Sequence, residues 1–273
     1  MEVPFDVLDS IFRFLRSHPK TLVACSKAHP VFSQAIERHL YYHIRFRTHS
    51  DQPERTGDTG YTIEPPYLIE LLTNTPHIVN YIRILQIDFK DTLLNRETTQ
   101  ILQNITLVLP MFSGLECMIL TAPSHILSWN QLPQGLRAAV ENCIRLPTLQ
   151  RLHIGKLMFP LSILDEHLNI NCFSLSGTPQ IPVCSEGINP QLTAVSFDFI
   201  HDPHIVSFIT WAKRHIFKLQ SLKCDYSNEE LISELLEICS HTLHNLDLQV
   251  EQVCKLTSLH IAKISRLELT ISR

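Results

Sequence analysis

Leu149-Gln150-Arg151-Leu152-His153-Ile154 and Leu243-His244-Asn245-Leu246-Asp247-Leu248 share one pattern: apolar, two variable residues, apolar, one variable residue, apolar. The last two apolar positions stand two apart, so they lie on one face of a β-strand while the residue between them faces the other way. The pattern recurs as Ile82-Leu85-Ile87, Leu115-Met118-Leu120, Ile170-Phe173-Leu175, Leu192-Val195-Phe197, Leu219-Leu222-Cys224 and Ile264-Leu267-Leu269. The middle residues of successive units are 33, 34, 21, 22, 27, 24 and 21 positions apart. Stretches with helical spacing of apolar residues separate several of these strands: 66–75 (Leu68, Leu71, Leu72), 98–109 (Ile101, Leu102, Ile105, Leu109), 203–217 (Ile205, Phe208, Ile209, Ala212, Ile216) and 228–239 (Leu231, Leu235, Leu236, Ile238). The fold class is therefore α/β.

Short strands alternating with helices admit two architectures. One is a doubly wound sheet. The other is a solenoid that stacks one strand per repeat with helices on its convex side. Intervals that fall partly in the range of about 20–29 residues, with a Leu-x-x-Leu-x-Leu core, favour an irregular leucine-rich-repeat-like solenoid over residues 65–273. The asparagine or cysteine that usually follows the strand in such repeats is mostly missing. Ahead of it, Arg47-Thr48-His49-Ser50-Asp51-Gln52-Pro53-Glu54-Arg55-Thr56-Gly57-Asp58-Thr59-Gly60 lacks apolar side chains, so residues 47–64 are expected to form an exposed linker.

Residues 1–46 form a third region, expected to be a helical module. Leu8, Ile11, Phe12 and Leu15 recur at helical spacing in a helix expected from about Pro4 to Leu15. Pro19 and Pro30 each suit the first position of a further helix, where a missing N–H costs nothing. The expected internal packing residues are Leu22, Cys25, Phe32, Ile36 and Leu40. Val3, Pro4, Val7, Leu8, Ile11, Phe12 and Leu15 present more apolar surface than one short helix buries internally, so part of it is expected to pack on a helical partner.

Val3-Pro4-Phe5-Asp6-Val7-Leu8, Ile11-Phe12 and Leu15, followed by Pro19-Lys20-Thr21-Leu22-Val23-Ala24-Cys25-Ser26 and Arg38-His39-Leu40-Tyr41, resemble the F-box family in the form carried by many fungal, particularly basidiomycete, members. The departures are Val3 for leucine, Asp6 for glutamate and Phe32 for tryptophan. The resemblance implies a non-catalytic, target-recognising subunit of an SCF (cullin–RING) ubiquitin ligase. It implies that Val3, Pro4, Val7, Leu8, Ile11, Phe12 and Leu15 bind a Skp-type adaptor, with Pro4, Leu8, Ile11 and Phe12 nearest the interface, while the repeat domain binds a protein target. Two alternatives stay open on the residues alone: an α/β enzyme with a helical N-terminal cap, and a ligase-independent interaction scaffold.

Composition narrows the remaining classes. The net charge is −4, with both signs mixed along the chain, so phosphate neutralisation along a nucleic acid is not expected. Seven glycines in 273 residues disfavour glycine-rich phosphate loops, and no Walker A, G-x-G-x-x-G or G-x-S-x-G sequence occurs. The eight cysteines form no C-x-x-C and sit mostly in apolar segments, as reduced thiols of a cytoplasmic or nuclear protein do. Fifteen histidines form no H-E-x-x-H or zinc-finger spacing, so neither metal nor cofactor is expected. Trp129 and Trp211 are expected to be buried. Asp6 and Asp9 interrupt the first apolar stretch, so no signal peptide is expected there. Pro123, Asn130 and Pro133 argue against a membrane span over 118–136. The chain closes on Leu267-Glu268-Leu269-Thr270-Ile271-Ser272-Arg273, expected as either an exposed edge strand or the end of a truncated product.

Overall fold

The computed structural model describes residues 4–48, 60–89, 96–123, 127–166, 169–176, 179–180, 192–198, 210–214, 216, 218–225, 229–239, 241–250 and 266–271. The protein is α/β and divides into two compact units: Met1–Pro123 with Leu132–Leu149, and Ser124–Gln131 with Gln150–Arg273.

The first unit begins with α1 (Phe5–Phe14), α2 (Pro19–Ala28) and α3 (Pro30–Leu40). The Pro4 carbonyl accepts the Val7 and Leu8 N–H groups at 3.1 and 3.2 Å and opens α1. Pro19 and Pro30 occupy the first helical positions, and His29 Nδ1 accepts the Val31 N–H at 3.2 Å at the start of α3. The chain then runs through β1 (His43–Arg47), β2 (Tyr61–Thr62), α4 (Pro65–Asn74), β3 (Ile84–Asp88), α5 (Arg96–Val108), β4 (Cys117–Thr121) and α6 (Gln134–Ile144). The strand order is β2-β1-β3-β4, with every pairing parallel. Register aligns Ile44 with Leu85 and Met118, and Phe46 with Ile87 and Leu120; all six are buried.

Two boundaries differ from the sequence reading. Residues 43–47 form β1 instead of closing the helical module at 46, and the expected linker over 47–64 contributes β2. The Ile63 N–H donates to the Arg45 carbonyl at 3.1 Å, and Ile63 is buried. The cause is a period of two that is nearly hidden by charge: Ile44 and Phe46 alternate with His43, Arg45 and Arg47. Tyr41, Ile44 and Phe46 also fit the repeat pattern once tyrosine counts as apolar. Linker residues 49–59 lie outside the described residues. Helix α6 was not expected, although Leu136, Val140, Cys143 and Ile144 are buried at helical spacing.

The second unit contains β5 (Arg151–Gly155), β6 (Phe159–Pro160), β7 (Cys172–Ser176), β8 (Pro179–Gln180), β9 (Ala194–Asp198), β10 (Ser221–Asp225), α7 (Glu229–Cys239), β11 (Asn245–Val250) and β12 (Arg266–Ile271). Of the helix expected over 203–217, residues 210–214 are helical and most of the others lie outside the described residues. The strand order β5-β7-β9-β10-β11-β12 follows the chain, again all parallel, while β6 pairs separately with β8. Leu152, Phe173, Val195, Leu222, Leu246 and Leu267 fall in one row of the ladder. The first five are buried, as are Ile154, Leu175, Phe197, Cys224 and Leu248 in the row two residues on. Trp129 packs edge-on against Phe159 at 5.1 Å, and Trp211 packs against Phe173 at 6.2 Å; both tryptophans are buried.

One backbone device recurs just before the strands of both units. The carbonyls of Tyr42, Arg83, Gln150, Asn171, Thr193 and Gln220 each accept two successive N–H groups from the start of the next strand segment, at 2.8–3.1 Å. Each carbonyl stands one residue before its own strand, so every segment enters at the same offset from its predecessor. This satisfies backbone donors that would otherwise be orphaned between elements.

Gly60 shows how tightly β2 is held. Its φ is +103°, and a Cβ there would lie 2.9 Å from three atoms of the His43 ring. Gly60→Ala is therefore expected to lower stability by about 1–3 kcal/mol, read as a fall in the urea midpoint. An unchanged midpoint would mean that this backbone conformation is not required. No helix among the described residues is long and apolar enough to cross a membrane.

Candidate docking surface

Helix α1 carries two apolar faces. Leu8 and Phe12 turn inward and join Leu22, Ala35 and Ile36 in a buried cluster, with Leu15, Cys25, Phe32 and Leu40 partly buried around it. The Phe12 and Phe32 rings meet edge-on at 5.8 Å. All five expected packing residues thus lie in or around this cluster.

The expected adaptor-facing residues divide. Pro4, Val7 and Ile11 are exposed, Leu8 and Phe12 are interior, Leu15 is half-buried against the cluster, and Val3 lies outside the described residues. Sequence reasoning missed Phe14, which is 82% exposed and continues the line of Val7 (47%) and Ile11 (48%) at intervals of four and three residues. That spacing was legible in Val7-x-x-x-Ile11-x-x-Phe14. Phe5 is also exposed, but the Arg38 guanidinium stands 5.1 Å over its ring. This ten-residue helix buries one side and leaves an exposed aliphatic–aromatic line on the other.

The sheets offer a different surface in each unit. Among the residues alternating with the buried rows, His43, Arg45, Arg47 and Gln86 in the first unit, and Arg151, His153, Ser174, Ser176 and Ser196 in the second, are polar and half-exposed. Lys223 Nζ pairs with Asp247 at 3.1 Å across β10 and β11. Asp88 is the one buried carboxylate among the described residues. It accepts Arg45 Nε on one oxygen, and Gln86 Nε2 (2.8 Å) and Thr121 Oγ1 on the other. With both oxygens occupied, Asp88 ties β1, β3 and β4 together on this face. Burial pushes the Cys143 thiol up to about 12 and the Cys239 thiol up to about 11, and both donate to backbone carbonyls, so neither is a thiolate nucleophile at neutral pH. No group of three or more His, Cys, Asp or Glu among the described residues is arranged to hold a metal ion.

His43 makes the first unit acid-sensitive. Burial lowers its pKa from 6.5 to about 4, outweighing a hydrogen bond to Gln86. Protonation is then easier in the unfolded chain, so stability is full above the unfolded value and falls as pH drops toward about 4. The full loss is about 2–3 kcal/mol after allowance for partial solvent screening. Comparing urea midpoints near pH ~7.5 and ~4.5, His43→Gln is expected to lose less stability on acidification than the wild type. Equal losses would assign the acid sensitivity to other groups.

No protein family, no curated protein and no solved structure matches this chain.

Proposed function

We propose that this protein is the target-recruiting, non-catalytic subunit of an SCF (cullin–RING) ubiquitin ligase. Residues 4–40 act as an F-box that docks a Skp-type adaptor through α1, and the open polar faces of the sheets receive a protein target. The observation that carries this reading is the outward line of Val7, Ile11 and Phe14 on a helix whose opposite side is already filled by Leu8 and Phe12. Its sequence support is the run of F-box-like residues from Pro4 to Tyr41. The mechanism needs no reacting side chain: one end holds the ligase and the other holds the target, which raises the effective concentration of target lysines near the ubiquitin-loaded enzyme.

A leucine-rich-repeat-like arrangement within each unit fits this role. Three features support it: strands stacked in chain order in the second unit, the pre-strand carbonyl that recurs at the same offset, and half-exposed polar residues opposite the buried row in the second unit. A doubly wound enzyme sheet covers both faces with helices. Half-exposed Arg151, His153, Ser174 and Ser196 weigh against that alternative. Buried reduced thiols suit a cytoplasmic or nuclear setting.

The direct test mixes purified protein with a recombinant Skp-type adaptor and reads complex formation by size-exclusion chromatography. A stoichiometric complex is expected. An absence of binding by the folded protein would end the ligase reading and leave a ligase-independent scaffold.

A further inference from the structure

Asp9, Arg16, Arg38 and His39 form a polar knot beneath α1. The His39 ring is only 2% exposed. Its Nδ1 lies 2.9 Å from Arg16 Nε, and its Nε2 meets Asp9 Oδ1, which Arg38 Nη2 also contacts. The Arg16 guanidinium stacks 3.8 Å over the Tyr42 ring. The knot therefore joins α1 (Asp9), the turn after it (Arg16), α3 (Arg38, His39) and the residue just before β1 (Tyr42). Arginine Nε always carries its proton, so His39 Nδ1 has to accept. The ring is then neutral, with its own proton on Nε2 donated to Asp9.

We infer that His39 is a proton-sensitive latch: its neutral ring holds α1 against α3, and protonation at Nδ1 releases the helix. A second ring proton would set one N–H against another at Arg16 and place a buried cation between Arg16 and Arg38. Asp9 alone would offset that charge while it is already shared with Arg38. The charges acting on the ring are those of Asp9, Arg16 and Arg38; among the described residues, α2 adds none to this set, and Arg13 acts on Arg16. Burial lowers the His39 pKa and, helped by the charges of Arg16 and Arg38, outweighs the bond and charge of Asp9, which act to raise it. Burial acts to raise the Asp9 carboxyl, but its bond to His39 and the charge of Arg38 outweigh this and keep it ionised well into acid. As the pH falls, the latch thus yields at histidine before the carboxylate responds. The consequence for docking rests on the ligase reading: a released α1 no longer presents Val7, Ile11 and Phe14 at a fixed pitch.

Hydrogen exchange of residues 5–14 in the full chain, corrected for the chemical exchange rate, decides the matter. Between about pH 7.5 and about pH 5.5, wild-type protection is expected to fall about tenfold more in 5–14 than in β3 and β4, which lie in the same unit and share the acid sensitivity of His43. His39→Gln keeps an amide donor for Asp9 but cannot charge, and should abolish this difference. No pH effect in the wild type, or the same effect in His39→Gln, overturns the latch. If the variant does not fold, ring ¹⁵N shifts of the wild type decide. A neutral Nε2–H ring that gains a proton as α1 loosens supports the latch, whereas an imidazolium at neutral pH, or a ring that stays neutral throughout, overturns it. Binding of the recombinant Skp-type adaptor over the same range separates the two ideas. A complete absence of binding at every pH sinks the ligase reading, while the exchange data still decide the latch.

Discussion

Ile11→Asp combined with Phe14→Asp is expected to abolish capture of a Skp-type adaptor while leaving unfolding stability within about 0.5 kcal/mol per site. Phe14 is 82% and Ile11 48% exposed in the free protein, and neither belongs to the buried cluster of the three helices. In a complex they would be covered, and each buried aliphatic or aromatic side chain contributes about 1.5–3 kcal/mol. Two carboxylates in their place must also be desolvated without partners, which costs several kcal/mol more by the same logic as any unpaired buried charge. The combined loss corresponds to at least about a thousandfold in affinity. Leu8→Asp is the contrasting variant: it places a charge in the cluster with Phe12, Leu22 and Ile36 and should unfold the three-helix region itself. Adaptor capture by the double variant at wild-type strength would show that α1's outward line is not the docking surface.

Phe173→Ala is expected to lower the stability of the second unit by about 3–5 kcal/mol. Phe173 is fully buried, sits in the ladder between Leu152 and Val195, and packs against Trp211. Parallel neighbours on both sides and an indole above leave little room for the site to collapse, so most of the cavity would persist. Ser174→Ala, one residue on and on the half-exposed face, should change stability by no more than about 0.5 kcal/mol. Urea midpoints of the two variants test the contrast directly. If both moved equally, the apolar row would not be the core and the assignment of faces would be wrong.

All eight apolar-x-x-apolar-x-apolar segments read from the sequence coincide with strands, because alternation at a period of two is a local property of the backbone. A ninth, Tyr41-Ile44-Phe46, was hidden because polar His43, Arg45 and Arg47 interleave its apolar residues and its first residue also caps α3. Helix α6 was obscured by the uncharged stretch before it, although Leu136, Val140 and Ile144 carried the helical period. The site was less legible than the fold. The sequence showed that α1 had apolar residues in excess, but it assigned Leu8 and Phe12 to the partner side and overlooked Phe14. His39 had no acidic partner nearby in sequence, yet Asp9 reaches it from thirty positions away.

Periodicity by itself determined the eight repeated strands and helices α1, α4, α5 and α7, and that each of those strands has an apolar row, since those features depend only on neighbours within a turn or a pleat. The tertiary structure alone decided which side of α1 is interior. On that side Leu8 and Phe12 join Leu22 of α2 and Ala35 and Ile36 of α3 in one buried cluster. It alone also brought Asp9, Arg16, Arg38 and His39 together, because a knot among residues on separate helices exists only once those helices have packed.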